Sequence, residues 1–261
     1  MRIRIAPRPE GIPADLGSPE LPTSKSHAQR ALCLAHYLPG TYEILGLPPS
    51  RDIQVLSEAL SQEDTATLDL LDNGTALRFL AVIPAILGQE CTLDGGERLR
   101  ERPLDAAVEF LTRYGANASD GWPKHLDGRA AQFPEELEVD ASLTSQVASG
   151  VLLGAAIRLA RLGERRVLRV RQPAAVNYLM VTLEVLAWFG FETAHWGEDE
   201  DLLVELQSWT APAEGQQIKI PLDASSFSFF AAFLAMHGLE VERTLGTEDS
   251  HPDWLFCEDL R

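Results

Sequence analysis

The sequence predicts an α/β fold in which apolar helices alternate with short strands. Three observations carry this. First, one unit recurs along the chain: a cap of small residues, a helix, a strand, a turn and a second helix. Second, the first helix of each unit is apolar on nearly all sides, as in Val151-Leu152-Leu153-Gly154-Ala155-Ala156-Ile157, which calls for burial all round. Third, the second helices are amphipathic, with Ile53, Leu56 and Leu60 on one face of the earliest, as an outer layer requires. Self-similarity at a period of roughly fifty to eighty residues outweighs any single motif in choosing a fold. Three such units can close into one domain around buried helices, with sheets between the layers.

The elements follow in order. Arg2 to Ala6 alternates charged and apolar residues and reads as a strand. A loop rich in Pro and Gly leads to Leu21, and a helix runs from Lys25 to Tyr37, ahead of Pro39-Gly40. Thr41 to Leu45 is a strand, Pro48 to Asp52 a turn, Ile53 to Leu60 a helix and Thr67 to Leu70 a strand. Asp72-Asn73-Gly74-Thr75 opens a second copy, whose first helix is closed by Gly88. Strand Glu90–Leu93, the Gly95-Gly96 turn, a basic loop from Arg98 to Pro103 and an amphipathic helix Leu104–Tyr114 ending at Gly115 complete it. Thr144-Ser145-Gln146 opens the third, with helix Val147–Leu162, strand Val167–Val170, a turn at Gln172-Pro173 and helix Asn177–Phe189 ending at Gly190. A fourth begins at Asp223-Ala224-Ser225-Ser226, with helix Phe227–Met236 and strand Leu239–Arg243, and only its first half is present. The acidic run Glu198 to Asp201 reads as a solvated loop, and the five tryptophans as plugs between repeats.

Composition narrows the class. Of 261 residues, 45% are hydrophobic and 23% charged, which is enough apolar surface for a globular core. A net charge of −17 and a pI near 4.7 argue against nucleic acid and anionic membranes as partners. An anionic substrate then needs a local cationic cluster. Cys33, Cys91 and Cys257 are far apart and form no C-x-x-C pair, so neither a zinc site nor a disulfide framework is indicated, and a reducing compartment, the cytoplasm, fits. The six histidines have no metal-ligand spacing. The N-terminus has no apolar core for a signal peptide, and no run is long enough to span a bilayer.

Leu21-Pro22-Thr23-Ser24-Lys25-Ser26-His27-Ala28-Gln29-Arg30 is the stretch with most chemistry. A serine here caps the following helix, and the free N–H groups of a first turn attract anions. Comparable caps recur at Asn73-Gly74-Thr75, Thr144-Ser145-Gln146 and Ser225-Ser226. If rotation relates the repeats, these N-termini converge on one face. Lys25, Arg30, Arg78 and Arg102 fall at or near them, and arginine's planar fork suits carboxylate and phosphate. The competing reading of each cation alone is a surface ion pair. The pattern fits a small substrate with several negative groups.

At these residues the sequence resembles the enolpyruvyl transferases, and among them the 5-enolpyruvylshikimate-3-phosphate synthase family. Pro22-Thr23-Ser24-Lys25-Ser26 through Arg30-Ala31-Leu32 is similar to its P-x-S-K-S-x-x-x-R-A-L, and Asn73-Gly74-Thr75-Ala76-Leu77-Arg78 to its A-G-T-A-x-R. Arg100-Glu101-Arg102-Pro103 resembles R-E-R-P, Thr144-Ser145-Gln146 resembles S-S-Q, and Asp223-Ala224-Ser225-Ser226 resembles D-A-S-S. The resemblance implies an inside-out α/β barrel domain of three β-α-β-α-β-β repeats over residues 21–222. Residues 1–20 and 223–261 would then belong to a second domain, with the active site in the cleft. It implies enolpyruvyl transfer from phosphoenolpyruvate to the 5-hydroxyl of shikimate 3-phosphate, with release of phosphate and no metal or organic cofactor. Lys25 would touch both substrates, as the catalytic lysine. Ser26, Arg30, Thr144, Ser145 and Gln146 would hold shikimate 3-phosphate. Gly74, Arg102 and Gln146 would hold phosphoenolpyruvate, with Asn73, Thr75 and Arg78 in support.

Three departures accompany the resemblance. Asp72 stands where the family has Asn, which should weaken anion binding unless the carboxylate is paired. Ala175-Val176-Asn177-Tyr178 replaces S-x-P-Y and loses its serine. The family is longer, and most of a second domain carrying acid–base carboxylates is expected to be absent. Two readings therefore stay open: an enzyme, complete or completed by a separate chain, and a non-catalytic shikimate 3-phosphate-binding module. The apolar stretch Phe227 to Leu234 favours a partner. The sister family that transfers enolpyruvate to UDP-N-acetylglucosamine fits less well, since it has K-N in place of Lys25-Ser26 and a loop cysteine with no counterpart near Gly95-Gly96-Glu97.

Overall fold

The computed structural model describes residues 21–62, 67–236 and Asp253. The expected strands at Arg2–Ala6 and Leu239–Arg243, Cys257 and Trp254 lie outside these residues. In chain order, α1 (Lys25–Tyr37) leads to β1 (Tyr42–Leu45) and α2 (Arg51–Leu60). The second unit has β2 (Thr67–Asp69), α3 (Gly74–Ile86), β3 (Glu90–Asp94), a single turn α4 (Glu97–Arg100), α5 (Asp105–Arg113), β4 (Asn117–Ala118) and β5 (Lys124–Asp127). The third has β6 (Glu136–Asp140), α6 (Ser145–Leu162), β7 (Arg166–Arg171), α7 (Val176–Trp188), β8 (Phe191–Glu198) and β9 (Asp201–Trp209). β10 (Gln216–Lys219) and α8 (Ala224–Met236) follow.

Two sheets have the same topology. β2 pairs parallel with β3, β3 antiparallel with β5, and β5 antiparallel with β4. The order β6-β7-β9-β8 repeats this pattern of pairings. The described third sheet has β1 and β10 alone, in parallel, with Tyr42 opposite Gln216 and Leu45 opposite Lys219. β10 thus takes in the first unit the place of β2 and β6 in the others. The chain enters and leaves through two adjacent segments: Ser24 N–H donates to Pro221 O at 2.7 Å, and Asp223 N–H to Pro22 O at 2.8 Å. The hydrophobic core runs from Ala28 to Ile220, while Ala224, Phe227 and Ala231 of α8 are buried outside it.

The caps of α1, α3 and α6 act as the sequence indicates, and Ser50, expected only in a turn, caps α2 as well. Ser24, Ser50, Asn73 and Thr144 each accept from a first-turn N–H of α1, α2, α3 and α6. Every residue of α3 except Thr75 is buried. Pro84 cannot donate to the carbonyl one turn back, and the Leu80 carbonyl instead accepts from Cys91 Sγ at 3.3 Å. Gly190 ends the third unit's second helix with φ +83°, where a Cβ would stand 2.1 Å from Thr210 O.

Several expectations need correction. The Arg98–Pro103 loop contains the helical turn α4, tied down by Gly96 O accepting from Leu99 and Arg100 N–H. α7 is no amphipathic outer helix, since it buries Leu179, Val181, Thr182, Leu183, Val185 and Leu186 between neighbours. The acidic run forms the β8–β9 hairpin turn, where Glu198 and Asp201 bind Arg169 at 2.9 and 3.4 Å. Trp188 stacks on His27 as a plug should, but Trp196 is exposed. Among the described residues the first unit has no counterpart of the β-β pair that the second and third possess.

Ala175 stands at the α7 N-cap and offers no side-chain acceptor. Ala175→Ser is expected to supply one and raise stability by about 1 kcal/mol. Thermal or denaturant unfolding reads this directly, and an unchanged midpoint contradicts it.

Candidate functional site

Three parallel helices set the site. Arg30 lies over the Phe79 ring at 5.4 Å and reaches Ser149 at 3.2 Å, so the same level of α1, α3 and α6 meets there. At the far end Arg158 donates to Ile86 O at 2.8 Å and Arg161 to Tyr37 O at 2.9 Å. Helices matched at both ends present their N-termini together. Each N-terminus has free N–H groups and the positive end of its dipole.

Continuous contacts join these ends. Lys25 Nζ lies 2.7 Å from Asp52 Oδ2 in the first turn of α2. The Asp52 carbonyl accepts from Asn73 Nδ2 at 2.8 Å, and Asn73 Oδ1 caps α3 at Ala76 N. Gly74 follows, and a Cβ there would stand 2.3 Å from Arg102 Nη1. The missing side chain is therefore the space the exposed Arg102 guanidinium uses. Arg78 Nη1 donates to Gly74 O at 3.1 Å and to Gln146 Oε1 at 2.9 Å, and Gln146 Nε2 donates to Thr75 Oγ1 at 3.2 Å. These last bonds tie α3 to α6. Thr144 caps α6, and Ser145 is buried at its first position.

The cations divide into two kinds. Lys25 and Arg102 are exposed and lie along this rim. Arg30 and Arg78 are buried struts. Arg30 donates to Thr182 Oγ1, Ser26 O, Ser149 Oγ and Tyr178 O. Burial without a carboxylate partner among the described residues pushes it down to about 10. Arg78 also holds Pro103 O at 3.2 Å, fixing the loop that carries Arg102. Its guanidinium is pushed down by burial and then by the Arg102 charge. Arg100, from the same motif as Arg102, is turned away by Asp94 at 2.9 Å.

Of the sequence-derived residues, Lys25, Asn73, Gly74, Thr75, Arg78, Arg102, Thr144, Ser145 and Gln146 fall along this rim. Ser26 is held by Arg30 through its carbonyl. Asp72 is exposed, its carboxylate against Gly96, with no ion-pair partner among the described residues. Sequence reasoning missed Asp52, Ser149, Thr182 and the Tyr178 carbonyl. An acidic residue two positions after the Ser50 cap was the available signal for Asp52. Cys33 and Cys91 are buried, and burial pushes both thiols up to about 12. Among the described residues no group of His, Cys, Asp and Glu is placed to hold a metal ion, and no helix is long and apolar enough to cross a membrane.

Solved structures share this architecture. The EPSP synthase of Acinetobacter baumannii superposes with a TM-score of 0.64 at 19% identity, over 84% of this chain and 53% of that one. The enolpyruvyl transferase NikO of Streptomyces tendae gives 0.58 at 13%, over 84% and 54%. The fold is that of the enolpyruvyl transferases. Residues 57–245 match the family model for EPSP synthase (3-phosphoshikimate 1-carboxyvinyltransferase), and the chain belongs to that family. The 3-phosphoshikimate 1-carboxyvinyltransferase of Histophilus somni is 28% identical over 94% of this chain and 62% of its own length. That of Thermococcus kodakarensis is 33% identical over 72% and 44%. The chain thus spans less than two thirds of the length of these relatives.

The Lys25–Asp52 pair is half-exposed, and such pairs are worth about 0.5–1 kcal/mol. Asp52→Asn is therefore expected to free Lys25 for an external anion and tighten inorganic phosphate binding about two- to fivefold. Calorimetry at low salt checks it, and unchanged affinity contradicts it.

Proposed function

We propose that this chain forms one wall of a 3-phosphoshikimate 1-carboxyvinyltransferase site. The reaction joins phosphoenolpyruvate to the 5-hydroxyl of shikimate 3-phosphate and releases phosphate, a step of chorismate and aromatic amino acid biosynthesis. The observation that carries this reading is the contact chain Lys25–Asp52–Asn73 continuing through Gly74, Arg102, Arg78 and Gln146 across three helix N-termini.

Shikimate 3-phosphate is assigned to Lys25, Ser26, Thr144, Ser145 and Gln146, where first-turn N–H groups and hydroxyls meet a phosphate. Arg30 adds its charge from beneath and keeps Ser26 in place. Phosphoenolpyruvate is assigned to Lys25, Gly74, Arg102 and Gln146. The 5-hydroxyl gives up its proton and its oxygen bonds to the enolpyruvyl C2 as C3 takes up a proton; the tetrahedral adduct then loses a C3 proton and phosphate, which restores the double bond. Fixed cations and helix ends stabilise the charge that shifts in both steps. Nothing in these roles calls for a metal or an organic cofactor. Small anionic substrates are the partners, and the buried thiols of Cys33 and Cys91 suit a reducing cytoplasm.

A second reading is a half-enzyme or a non-catalytic shikimate 3-phosphate-binding module, completed or not by a separate chain. The exposed Asp72 carboxylate at the α3 entry, without an ion-pair partner among the described residues, favours it, since a negative charge there opposes phosphoenolpyruvate. Transfer to UDP-N-acetylglucosamine has less support, because the described cysteines are buried.

Calorimetry with the 261-residue chain separates these readings. Shikimate 3-phosphate is expected to bind weakly, and Lys25→Ala to abolish binding; equal binding by the variant removes this anion site. Phosphate release from both substrates by the chain alone would place the whole reaction on it and exclude the module. Gly74→Ala moves Arg102, the end of a flexible side chain, and is expected to lower phosphoenolpyruvate affinity at least tenfold, about 1.4 kcal/mol, while sparing shikimate 3-phosphate. Equal loss for both ligands contradicts the division of the site.

A further inference from the structure

We propose that the outer edge of β1 accepts an antiparallel strand from another chain, one with alternating apolar residues and a basic residue between them. Among the described residues the repeats differ at this edge. In the second unit β5 lies antiparallel on β3, and in the third β9 lies antiparallel on β7. The chain between α5 and β6, and between α7 and β10, provides those strands as a hairpin. Between α2 and β2 stand residues 61–66 alone, too few for two strands and a turn. Among the described residues β10 is the sole partner of β1.

Burial differs between the repeats in the same way. On β3, Cys91 and Leu93 are 6% and 0% exposed, and on β7, Leu168 and Val170 are 1% and 0% exposed. Their counterparts on β1, Tyr42 and Ile44, pack on the core but stay half-buried. The backbone parity agrees. Thr41 O and Leu45 O accept from Gly215 and Ile220 on the β10 side. Successive residues in a strand turn their N–H and C=O to opposite edges, so Tyr42 and Ile44 direct theirs outward. One missing strand would pair those groups and cover those side chains.

The filled edges describe the occupant. Leu126 stands opposite Cys91 and Lys124 opposite Leu93, while Val204 and Leu202 stand opposite Leu168 and Val170, so three of the four facing positions are apolar. An incoming strand therefore places apolar residues opposite Tyr42 and Ile44. Between them Glu43 is exposed, with Gln217 Nε2 on its carboxylate at 2.7 Å, and a Lys or Arg opposite completes the pairing. A second copy fits poorly: a twofold pairing centred on Glu43 sets that carboxylate against itself, on a chain of net charge −17. The inference rests on the sheets and is independent of the catalytic reading.

The test is an amide-resolved NMR titration of the 261-residue chain with three blocked peptides. The first is Thr-Lys-Val-Lys-Val-Lys-Thr, the second has Glu for each Lys, and the third is the first N-methylated at both valines. The Lys peptide at millimolar concentration is expected to shift Tyr42 to Leu45 and slow exchange of the Tyr42 and Ile44 amides about tenfold. The Glu peptide should bind about fivefold more weakly, and the N-methylated peptide should leave Tyr42 to Leu45 unmoved. No shift at Tyr42 to Leu45, or equal shifts with the N-methylated peptide, overturns the proposal. So does protection of Tyr42 and Ile44 without peptide, which would make the occupant a second copy where it depends on concentration and a segment of this chain, such as Ile3-Arg4-Ile5, where it does not.

Discussion

The close approach of α3 and α6 is the constraint on which the rest depends. A Cβ at Gly150 would stand 2.7 Å from Val82 Cγ2 and 3.2 Å from Arg78 O, and one at Gly154 would stand 2.9 Å from Ile86 Cδ1. Glycine at these two positions lets the helices lie together along their length. The axes are then locked at both ends, by Arg78 on Gln146 and by Arg158 on Ile86 O. With α1 added through Arg30, three N-termini arrive at one level. The site is a consequence of that packing, since no single loop builds it.

The same packing explains how a chain of net charge −17 keeps four cations near the starts of three helices. Arg30 and Arg78 donate to carbonyls, hydroxyls and an amide oxygen. These acceptors are neutral, so they hold the guanidiniums without cancelling the charge, and Arg78 Nε is left buried without an acceptor among the described residues. Burial depresses both guanidiniums, yet they remain protonated at neutral pH. Their fields add to those of the helix ends. Asp52 is the local exception: its carboxylate takes the Lys25 ammonium.

Much of this was legible in the sequence. Ser24, Asn73 and Thr144 mark helix starts by local chemistry, and the apolar runs after them mark burial, so α1, α3 and α6 were readable from a few residues each. β4 is only Asn117–Ala118, too short to show a period. The place of β10 beside β1 is a long-range pairing that no local pattern records. The inward turn of Arg30 depends on Ser149 and Thr182, far along the chain, and the partnership of Lys25 with Asp52 spans two helices. Motif matching picked out these cations without distinguishing rim from strut.

The central claim is that three helix N-termini form one anion site. The most direct measurement is an amide-resolved NMR titration with shikimate 3-phosphate. The account predicts concerted shifts, with one dissociation constant, at Ser26, Gly74 and Gln146 at the starts of α1, α3 and α6. Shifts confined to one of these helix starts, or different constants at each, would contradict it.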